Sequence, residues 1–427
     1  MLNVESLYES LASSVSDDSK GTMTLLTRAG QLSKPQLALT PEMTSEEMRL
    51  KFAELGNVPT LAVTENGRPI GMVNRNIFME QYARPFAREL YGRKSCIAFM
   101  DKTPLVVDAS TPIETLVKAA VESGGKVLAD GFITTSEGEY IGVGTGFDLM
   151  KAMSDIEAEK TRQLMSSISY ASLIQRSHLV ESDHVLQNDI SDYGLIWLPR
   201  DVVGGDAYFF RKVQDGIFGC VFDCTGHGVP GAFMTLIVMS FLEQQIQPES
   251  SGINPGEIIG KLNVYLKRVL RQEDRHSSDT GSSEKASNDG LDAAMFILAS
   301  DQQSMRFASA KLTMILAKND DSEITVVEGE KNPIGYSDTL LSSTWPTLQL
   351  DLGPDCLIVI PTDGVIDQIG EVKRIAHGKK RLVQFVQENR NKAAIQLMPQ
   401  FDQQFSNWQG NQKRRDDVTM LALRTKT

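Results

Sequence analysis

Aspartates at the ends of apolar strands are the residues of this sequence best placed to do chemistry. The sequence shows them as Asp206 in VVGGDAYFF, Asp223 in GIFGCVFDC, Asp363 in LIVIPTDGV, and Asp416 and Asp417 in RRDDVTMLAL. An acid at such a junction is desolvated on its strand side and exposed on its turn side. Burying several carboxylates together is unfavourable unless a cation neutralises them. The pattern therefore predicts a cluster of acids that holds a cation.

The neighbouring residues indicate which cation this would be. No lysine or arginine accompanies the first three acids, so a bound ion would have to balance their charge. Hard divalent ions such as Mg²⁺ and Mn²⁺ prefer carboxylate, carbonyl and water oxygens. Zinc favours histidine and cysteine ligands, and the four cysteines of this chain are scattered and form no CxxC pair. We therefore expect Mg²⁺ or Mn²⁺ rather than zinc.

The acids lie in a region rich in predicted strands. From Asp189 onward, short β-prone runs are bounded by turn signals, and two segments, 231–247 and 254–272, are predicted as helices. The polar, serine-rich residues 273–290 predict a surface loop. After the strand that ends at Asp223, two glycines permit a tight turn before the first helix.

Four motifs in this region, in this order, resemble those of the metal-dependent (PPM-type) protein phosphatases, and among them the SpoIIE-like branch. The motifs are LPRDVVGGDAYF, DCTGHGVPGAFM, IPTDGVID and RRDDVTML, with KNPIGY as an intervening turn. The resemblance covers residues 190–427. It implies an αββα sandwich and a site for two divalent cations, either Mn²⁺ or Mg²⁺.

The resemblance also implies a role for each acid. Asp223 would bridge the two ions, and Cys224 would contribute its backbone carbonyl rather than its thiol. Asp363 and Asp416 would complete one ion, and Asp206 would hold the second directly or through water. A water activated by the two ions would then attack the phosphorus of a phosphoserine or phosphothreonine without a phosphoenzyme intermediate.

Four further residues have two interpretations each. His227 is either a turn residue beside the ions or the acid that protonates the leaving oxygen. Asp292 either supports a metal or simply begins a strand, and Asp417 could exchange roles with Asp416. Arg200 could bind the substrate phosphate or be a surface residue beside Asp201.

The first part of the chain contains an internal repeat. Residues 60–83 and 131–153 each read as a β-prone run, a polar turn with glycine, a short strand and a helix, preceded by a helical stretch. This pair resembles a tandem CBS domain. The resemblance implies that Thr145 and Asp148 hold an adenine nucleotide, although Asp148 could equally cap a helix. The first repeat has Asn74 and Ile77 at the matching positions.

Residues 151–187 contain neither glycine nor proline and carry an apolar stripe typical of one long helix. Such a helix would connect two domains and either pair with its copy in a homodimer or pack within its own chain. We thus expect an α+β multidomain protein with an N-terminal extension (1–33), a tandem CBS-like α/β module (34–154), a helical linker (155–188) and a PPM-type phosphatase domain (189–427).

Composition narrows the class of protein further. The net charge of −12 argues against a nucleic-acid partner, which would favour a basic face. No apolar run approaches the length of about 20 residues that spans a membrane. The N-terminal residues lack the pattern of a signal peptide, and the unpaired cysteines favour a reducing compartment. We expect a cytoplasmic protein.

These observations predict a metal-dependent serine/threonine phosphatase regulated by its CBS-like module. The SpoIIE-like resemblance implies a phosphorylated protein substrate such as an anti-sigma factor antagonist. One alternative is a catalytically silent scaffold with a phosphatase fold, although all the acids are present. Another is a phosphohydrolase of free nucleotides, but residues 190–427 contain no evident base-stacking pocket beside the acids.

Overall fold

A single helix of 44 residues, Gly146–Asp189, passes from one compact unit of the chain into the next. The structure, a computed structural model, describes residues 26–272, 288–318 and 324–426. The two units divide between Leu164 and Met165. The first 25 residues of the predicted extension, and residues 273–287 of the predicted loop, lie outside the described residues.

The first unit contains the internal repeat that the sequence predicts. In chain order its elements are α1 (Ala29–Leu32), α2 (Ser45–Glu54), β1 (Thr60–Glu65), β2 (Arg68–Asn74), α3 (Arg75–Tyr82), α4 (Ala87–Tyr91), a 3₁₀ turn (Cys96–Phe99), β3 (Val106–Asp108), α5 (Ile113–Glu122), α6 (Lys126–Asp130), β4 (Phe132–Ser136), β5 (Glu139–Gly144) and the start of α7 (Gly146–Asp189). Residues 26–33 are ordered into this unit, since Ala29 and Leu32 of α1 are buried.

The two repeats agree in backbone detail. Each holds an antiparallel hairpin, β1–β2 or β4–β5, with a register irregularity at the matching place, Val63/Thr64 and Thr134/Thr135. Both hairpin turns have two consecutive residues with positive φ, the second of them glycine, as tight hairpin turns require. A parallel pairing precedes each hairpin in the chain, between β3 and β4 and at the bridge from Leu39 to Val63. The unit is therefore a duplicated α/β motif.

The second unit is built on two five-stranded antiparallel sheets. Its elements are β6 (Asp192–Leu198), β7 (Asp206–Val213), β8 (Gly216–Cys224), α8 (Gly228–Gln245), α9 (Pro255–Val269), β9 (Leu291–Ala299), β10 (Ser304–Ala310), β11 (Met314–Ala317), β12 (Thr325–Val327), β13 (Leu348–Asp351), β14 (Leu357–Pro361), α10 (Asp363–Asp367), α11 (Gly378–Asn389), α12 (Ala394–Gln409) and β15 (Val418–Arg424). One sheet has the order β13-β10-β9-β8-β7 and the other β12-β11-β14-β15-β6.

Helices cover the outer face of each sheet, which gives the αββα layers that the resemblance implied. Helices α8 and α9 contact β7 to β10, whereas α11 and α12 contact β6, β11 and β15. Strand β14 is buried on both of its faces. Ile358 and Ile360 face the core between the sheets, and Leu357 and Val359 pack under α11 and α12. A strand buried on both faces reads as a continuous apolar run.

The C-terminal part of α7 belongs to the second unit. Leu179 and Leu186 join the large core of that unit. Ser182 Oγ accepts a hydrogen bond of 2.9 Å from the Phe210 N–H, and the Tyr208 hydroxyl donates one of 2.7 Å to Asp183. This part of the helix is therefore fixed along β7.

Among the described residues, no helix combines the length and apolarity needed to cross a bilayer.

A glycine in α9 provides a test of the packing of this helix. A Cβ on Gly256 would lie 1.9 Å from the Trp345 carbonyl oxygen, whereas a Cβ on Gly260 of the same helix meets nothing within 4 Å. We expect Gly256→Ala to lower the free energy of unfolding by about 2 kcal/mol or more because backbone has to move. Gly260→Ala should raise it by about 0.5–1 kcal/mol. All three tryptophans lie in this unit, so fluorescence during urea unfolding reports on it selectively. Equal stability of the two variants would contradict this packing.

Candidate metal centre

Three acids form a row across adjacent strands of the first sheet. In the antiparallel register, Asp206 of β7 lies opposite Asp223 of β8, which lies opposite Asp292 of β9. Residues directly opposite each other in antiparallel strands point to the same face and have Cβ atoms about 5 Å apart. Like charges in this arrangement repel each other. The row is therefore a concentrated patch of negative charge at one end of the sheet.

The second sheet brings the remaining acids to this row. Thr362 and Asp363 directly follow β14, and Asp416 and Asp417 directly precede β15, its neighbour in the sheet. The Thr362 hydroxyl donates a hydrogen bond of 2.7 Å to Asp206 Oδ2, which joins the two sheets at the site. The four predicted motifs thus converge between the sheets at one end of the sandwich.

The acids strongly influence one another. Burial raises the pKa of Asp206, which is 1% exposed, to about 7. Burial raises the pKa of Asp223 well above its usual value, and the charges of Asp206 and Asp363 raise it further. The pKa of Asp363 is also raised, first by burial and then by Asp416. Holding all these groups ionised near neutral pH therefore requires a cation beside them.

The donor atoms fit a hard divalent cation. Asp206 Oδ1 and Asp292 Oδ1 are buried and lack a hydrogen-bond partner among the described residues. Within the described ranges, no three His, Cys, Asp or Glu side chains already form a metal cage. Mg²⁺ needs no such cage, since it is commonly held by one or two carboxylates and several waters. The cluster therefore supplies suitable oxygens without closing around an ion by itself.

Asp417 and Asp416 differ in what they contact. Asp417 is buried, and its two oxygens accept hydrogen bonds of 2.6 Å from the Arg200 and Gly205 N–H groups. Asp417 therefore fixes the loop that leads into Asp206. Asp416 is partly exposed and accepts a bond of 2.9 Å from the Asp417 N–H through Oδ1. The charge of Asp416 raises the pKa values of Asp223 and Asp363, so its carboxylate lies close to theirs.

Cys224 lies in closely packed backbone, and its buried thiol is not placed to take part in chemistry. The thiol is buried, and burial raises its pKa well above its usual value. A Cβ on Gly205 would lie 2.7 Å from the Cys224 carbonyl oxygen, so glycine is needed for the two chains to approach. Thr225 fastens the following turn, because its N–H and hydroxyl both donate to the Gly290 carbonyl at 2.9 Å. Only the backbone carbonyl of Cys224, and not its thiol, fits the predicted role at the site.

His227 and Arg200 lie at the solvent side of the cluster. His227 precedes α8, and its Nδ1 is 2.9 Å from Asp201 Oδ2, with both side chains about half exposed. Arg200 is exposed, and its guanidinium donates a hydrogen bond of 3.1 Å to the Arg415 carbonyl. Asp201 therefore pairs with His227, and Arg200 is a surface residue in this structure.

Lys311 is a residue of the site that the sequence analysis missed. Its Nζ lies 3.5 Å from Asp292 Oδ1, and its charge lowers the pKa values of Asp292 and Asp363 against the larger effect of burial. The expectation that no basic residue accompanies the first three acids is correct for sequence neighbours but wrong in space for Asp363. The only local signal is that Lys311 directly follows strand β10, in a turn between two predicted strands.

The predicted nucleotide residues lie beside a cavity in the first unit. The cavity has a volume of about 600 Å³, and its lining includes Lys34, Asn57, Thr145 and Phe147. Thr145 Oγ1 accepts a bond of 3.1 Å from the Asp148 N–H and donates one of 2.7 Å to Asp148 Oδ2. Lys34 Nζ is 3.2 Å from the same carboxylate. Thr145 therefore caps α7, and the Asp148 carboxylate is held by Thr145 and Lys34 next to a cavity of ligand size.

Asn74 occupies the matching place in the first repeat. Its Oδ1 accepts hydrogen bonds from the N–H groups of Asn76 and Ile77, and thereby caps α3. Its amide donates a bond of 2.7 Å to Asp130. The side chain of Ile77 is exposed and supplies no polar group. Asn74 and Thr145 therefore both cap the helix that follows them, but the first repeat has Ile77 where the second has Asp148.

The fold is that of a PP2C-type phosphatase domain, and comparison with known proteins agrees. Residues 214–426 match the family described as Stage II sporulation protein E (SpoIIE). The chain is also similar to the SiaA-PP2C domain of Pseudomonas aeruginosa, with a TM-score of 0.54 and 27% identity over 63% of this chain and 100% of that one. The C-terminal half of the chain therefore belongs to the SpoIIE family of PP2C-type serine/threonine phosphatases.

Two further similarities are partial. The phosphoserine phosphatase RsbU of Bacillus subtilis (strain 168) is 28% identical over 132 residues, which are 31% of this chain. The match spans about a third (36%) of the length of that relative. The structure of CBSX2 in complex with AMP aligns with 30% of the chain at a TM-score of 0.25, which is too low to assign the first unit to the CBS family. The CBS assignment therefore stays a prediction.

The different contacts of Asp416 and Asp417 lead to a test. We expect Asp417→Asn to lower the free energy of unfolding by about 1–3 kcal/mol, because an amide can accept only one of the two backbone hydrogen bonds. Asp416→Asn should leave stability within about 0.5 kcal/mol and weaken Mg²⁺ binding. Tryptophan fluorescence in urea and calorimetric titration with Mg²⁺ measure the two effects. The reverse pattern would show that Asp417 is the ligand.

Proposed function

We propose that this protein is a divalent-cation-dependent phosphatase that hydrolyses phosphoserine and phosphothreonine in a protein substrate. The observation that carries the proposal is the convergence of Asp206, Asp223, Asp363 and Asp416 from both sheets at one end of the sandwich. Their mutual effect on pKa gives this cluster a need for cations that a silent scaffold would not have to retain. The complete set of acids therefore favours the enzyme over the scaffold.

The cations would be two Mg²⁺ or Mn²⁺ ions. Asp223 would bridge them, the Cys224 carbonyl, Asp363 and Asp416 would contribute to one, and Asp206 to the other. When bound, such ions lower the pKa of a coordinated water and stabilise negative charge on the phosphoryl group. Asp292 lies in the same row as Asp206 and Asp223, but its pairing with Lys311 makes it a supporting residue.

The surrounding residues would position the reacting groups. Thr362 orients the Asp206 carboxylate through Oδ2, which leaves Oδ1 directed at the cluster without a partner. Asp417 holds the loop before Asp206 through its hydrogen bonds to two backbone N–H groups. Asp201 accepts a hydrogen bond from His227 Nδ1, so the proton for the leaving serine or threonine oxygen would come from Nε2 of the doubly protonated ring.

The substrate class follows from the family and not from a pocket. RsbU, the partial relative described above, is named as a phosphoserine phosphatase. We propose a phosphorylated signalling protein of the anti-sigma factor antagonist type as the substrate. A phosphohydrolase of free nucleotides is less well supported, because the described cavity that could take a nucleotide lies in the first unit and contains none of these acids.

Substitution of the central acid tests the proposed activity. We expect phosphate release from a phosphoserine peptide to require Mn²⁺ or Mg²⁺ and to stop with a chelator. Asp223→Asn should lower the rate by more than about 100-fold, because changes at groups that merely support metal ligands already cost 10- to 100-fold. Asp215→Asn, at the opposite end of the same hairpin, is the matched control and should keep full activity. A wild-type protein that is folded, binds Mg²⁺ and releases no phosphate would favour the scaffold.

Regulation would reach the site through α7. Gln175 of this helix is buried, and its amide donates hydrogen bonds of 2.7 Å to the Gly204 carbonyl and 3.0 Å to Thr235 Oγ1 of α8. Gly204 lies between Val203 and Gly205 in the loop that Asp417 fixes. A rotation or shift of the helix would therefore move the backbone that carries Asp206.

The signal would enter through the first unit. We propose an adenine nucleotide in the cavity beside Thr145, with the Asp148 carboxylate turning from its hydrogen bond with the Thr145 hydroxyl to the ligand. We also propose a homodimer that pairs the two copies of α7, whose Leu164 and Tyr170 side chains are 65% and 66% exposed. Large apolar side chains on the face of a long helix favour such pairing.

The contact made by Gln175 provides a test of this route. AMP should change the rate of phosphate release by the wild-type protein. Gln175→Leu should keep AMP binding, measured by calorimetry, and lose the change in rate, because leucine fills the space without the bonds to Gly204. Gln187→Leu, an exposed position on the same helix, is the control and should respond like wild type. An unaltered AMP response in Gln175→Leu would rule out this contact as the route.

A further inference from the structure

Lys311 occupies a connection between the two sheets, directly beside the acid cluster. It lies in the turn from β10 to β11, which belong to different sheets. Its Nζ is 3.5 Å from Asp292 Oδ1, and Asp292 is opposite Asp223 in the strand register. Its charge also acts on Asp363, which belongs to the other sheet. The ammonium group therefore lies at the rim of the cluster, next to the acid that would bridge the ions.

The backbone of Lys311 is in a conformation that glycine would adopt more easily. Its φ is +60°, in the left-handed region that side chains with a Cβ disfavour. The N–H donates a hydrogen bond of 2.8 Å to the Glu330 carbonyl, which helps to keep the turn in place. Strained residues of this kind persist where their surroundings hold them, and they concentrate at functional sites. A lysine at this position thus suggests a use for its side chain.

The Lys311 ammonium group can donate further hydrogen bonds. Its side chain is 45% exposed, and it lies 5.8 Å from the centre of the Tyr336 ring. The Tyr336 ring is itself positioned by the bond of 2.8 Å between its hydroxyl and Thr225. The ion pair between Lys311 Nζ and Asp292 Oδ1 is long, at 3.5 Å, and Asp292 Oδ1 has no hydrogen-bond partner among the described residues. An ammonium carries three donors, and this contact leaves them available on the solvent side.

Positive charge from the protein would add to that of the ions in holding a phosphoryl group at the cluster. Lysine is well suited to this, since it binds phosphate oxygens as a point charge with rotatable donors. Arg200, the residue considered from sequence, has its guanidinium bonded to the Arg415 carbonyl. Building on the proposed function, we propose that Lys311 binds the non-bridging phosphoryl oxygens of the substrate and of the phosphate product. Asp292 then acts as the residue that positions Lys311.

The test uses the full-length protein with Mg²⁺ and compares Lys311→Gly with wild type. Glycine suits the positive φ, so this variant should unfold at the same urea concentration as wild type or a higher one. We expect KM for a phosphoserine peptide and the inhibition constant of inorganic phosphate to rise about tenfold or more, the effect of one lost hydrogen bond to a charged group. Lys311→Arg should recover most of the phosphate affinity.

Arg374→Gly is the matched control, because Arg374 is also a cation with positive φ, at 48°, in an exposed turn. It should leave KM and the inhibition constant unchanged. Unchanged constants in Lys311→Gly would overturn the proposal, as would an equal rise in the control. If the wild-type protein has no phosphatase activity, calorimetric binding of inorganic phosphate to the Mg²⁺-loaded protein still decides the matter. Equal affinity in wild type and Lys311→Gly would then reject a phosphate-binding role.

Discussion

The repulsion among carboxylates brought together between two sheets governs the architecture of the second unit. Asp206, Asp223 and Asp292 stand side by side on adjacent strands, and Asp363 and Asp416 approach from the opposite sheet. Burial raises the pKa values of Asp206 and Asp223 above their usual range, and the charges of neighbouring carboxylates raise them further. The packing of the two sheets and their outer helices holds the strand ends in place despite this repulsion. A bound cation would neutralise the acids.

Several contacts around the cluster serve to hold the acids at fixed positions. Thr362 ties Asp206 to the second sheet, and Asp417 uses both oxygens on the backbone that precedes Asp206. Gln175 reaches the same loop from α7, so three separate elements hold one short stretch of chain. A loop held in this way can be displaced as a unit when one of its supports moves. This gives the long helix a physical route to the site that needs no change in the cores of the sheets.

Much of the fold could be predicted from local patterns. The strands that carry the acids, the two helices after Asp223 and the duplicated hairpins of the first unit all lie where alternation, turn residues and apolar periodicity indicated. Helices α11 and α12 and the short strand β13 were not identified. Both helices do carry the helical periodicity, since the residues that they bury under the second sheet recur at spacings of three and four: Leu382, Phe385 and Val386 in α11, and Ala394, Leu397, Met398, Phe401 and Phe405 in α12. Strand β13 has four residues, too few for a periodic signal.

The sequence by itself determined which residue types lie at the strand ends, and from these it predicted an acid cluster that would hold a hard cation. Those properties depend on neighbours in the chain, which a sequence displays directly. The tertiary structure alone decided the register that puts Asp292 beside Asp223, the hydrogen bonds between Asp417 and the loop before Asp206, and the approach of Lys311 and Gln175. These depend on which distant segments meet, because strand register and sheet-to-sheet packing are set by the whole core and not by any short stretch of sequence.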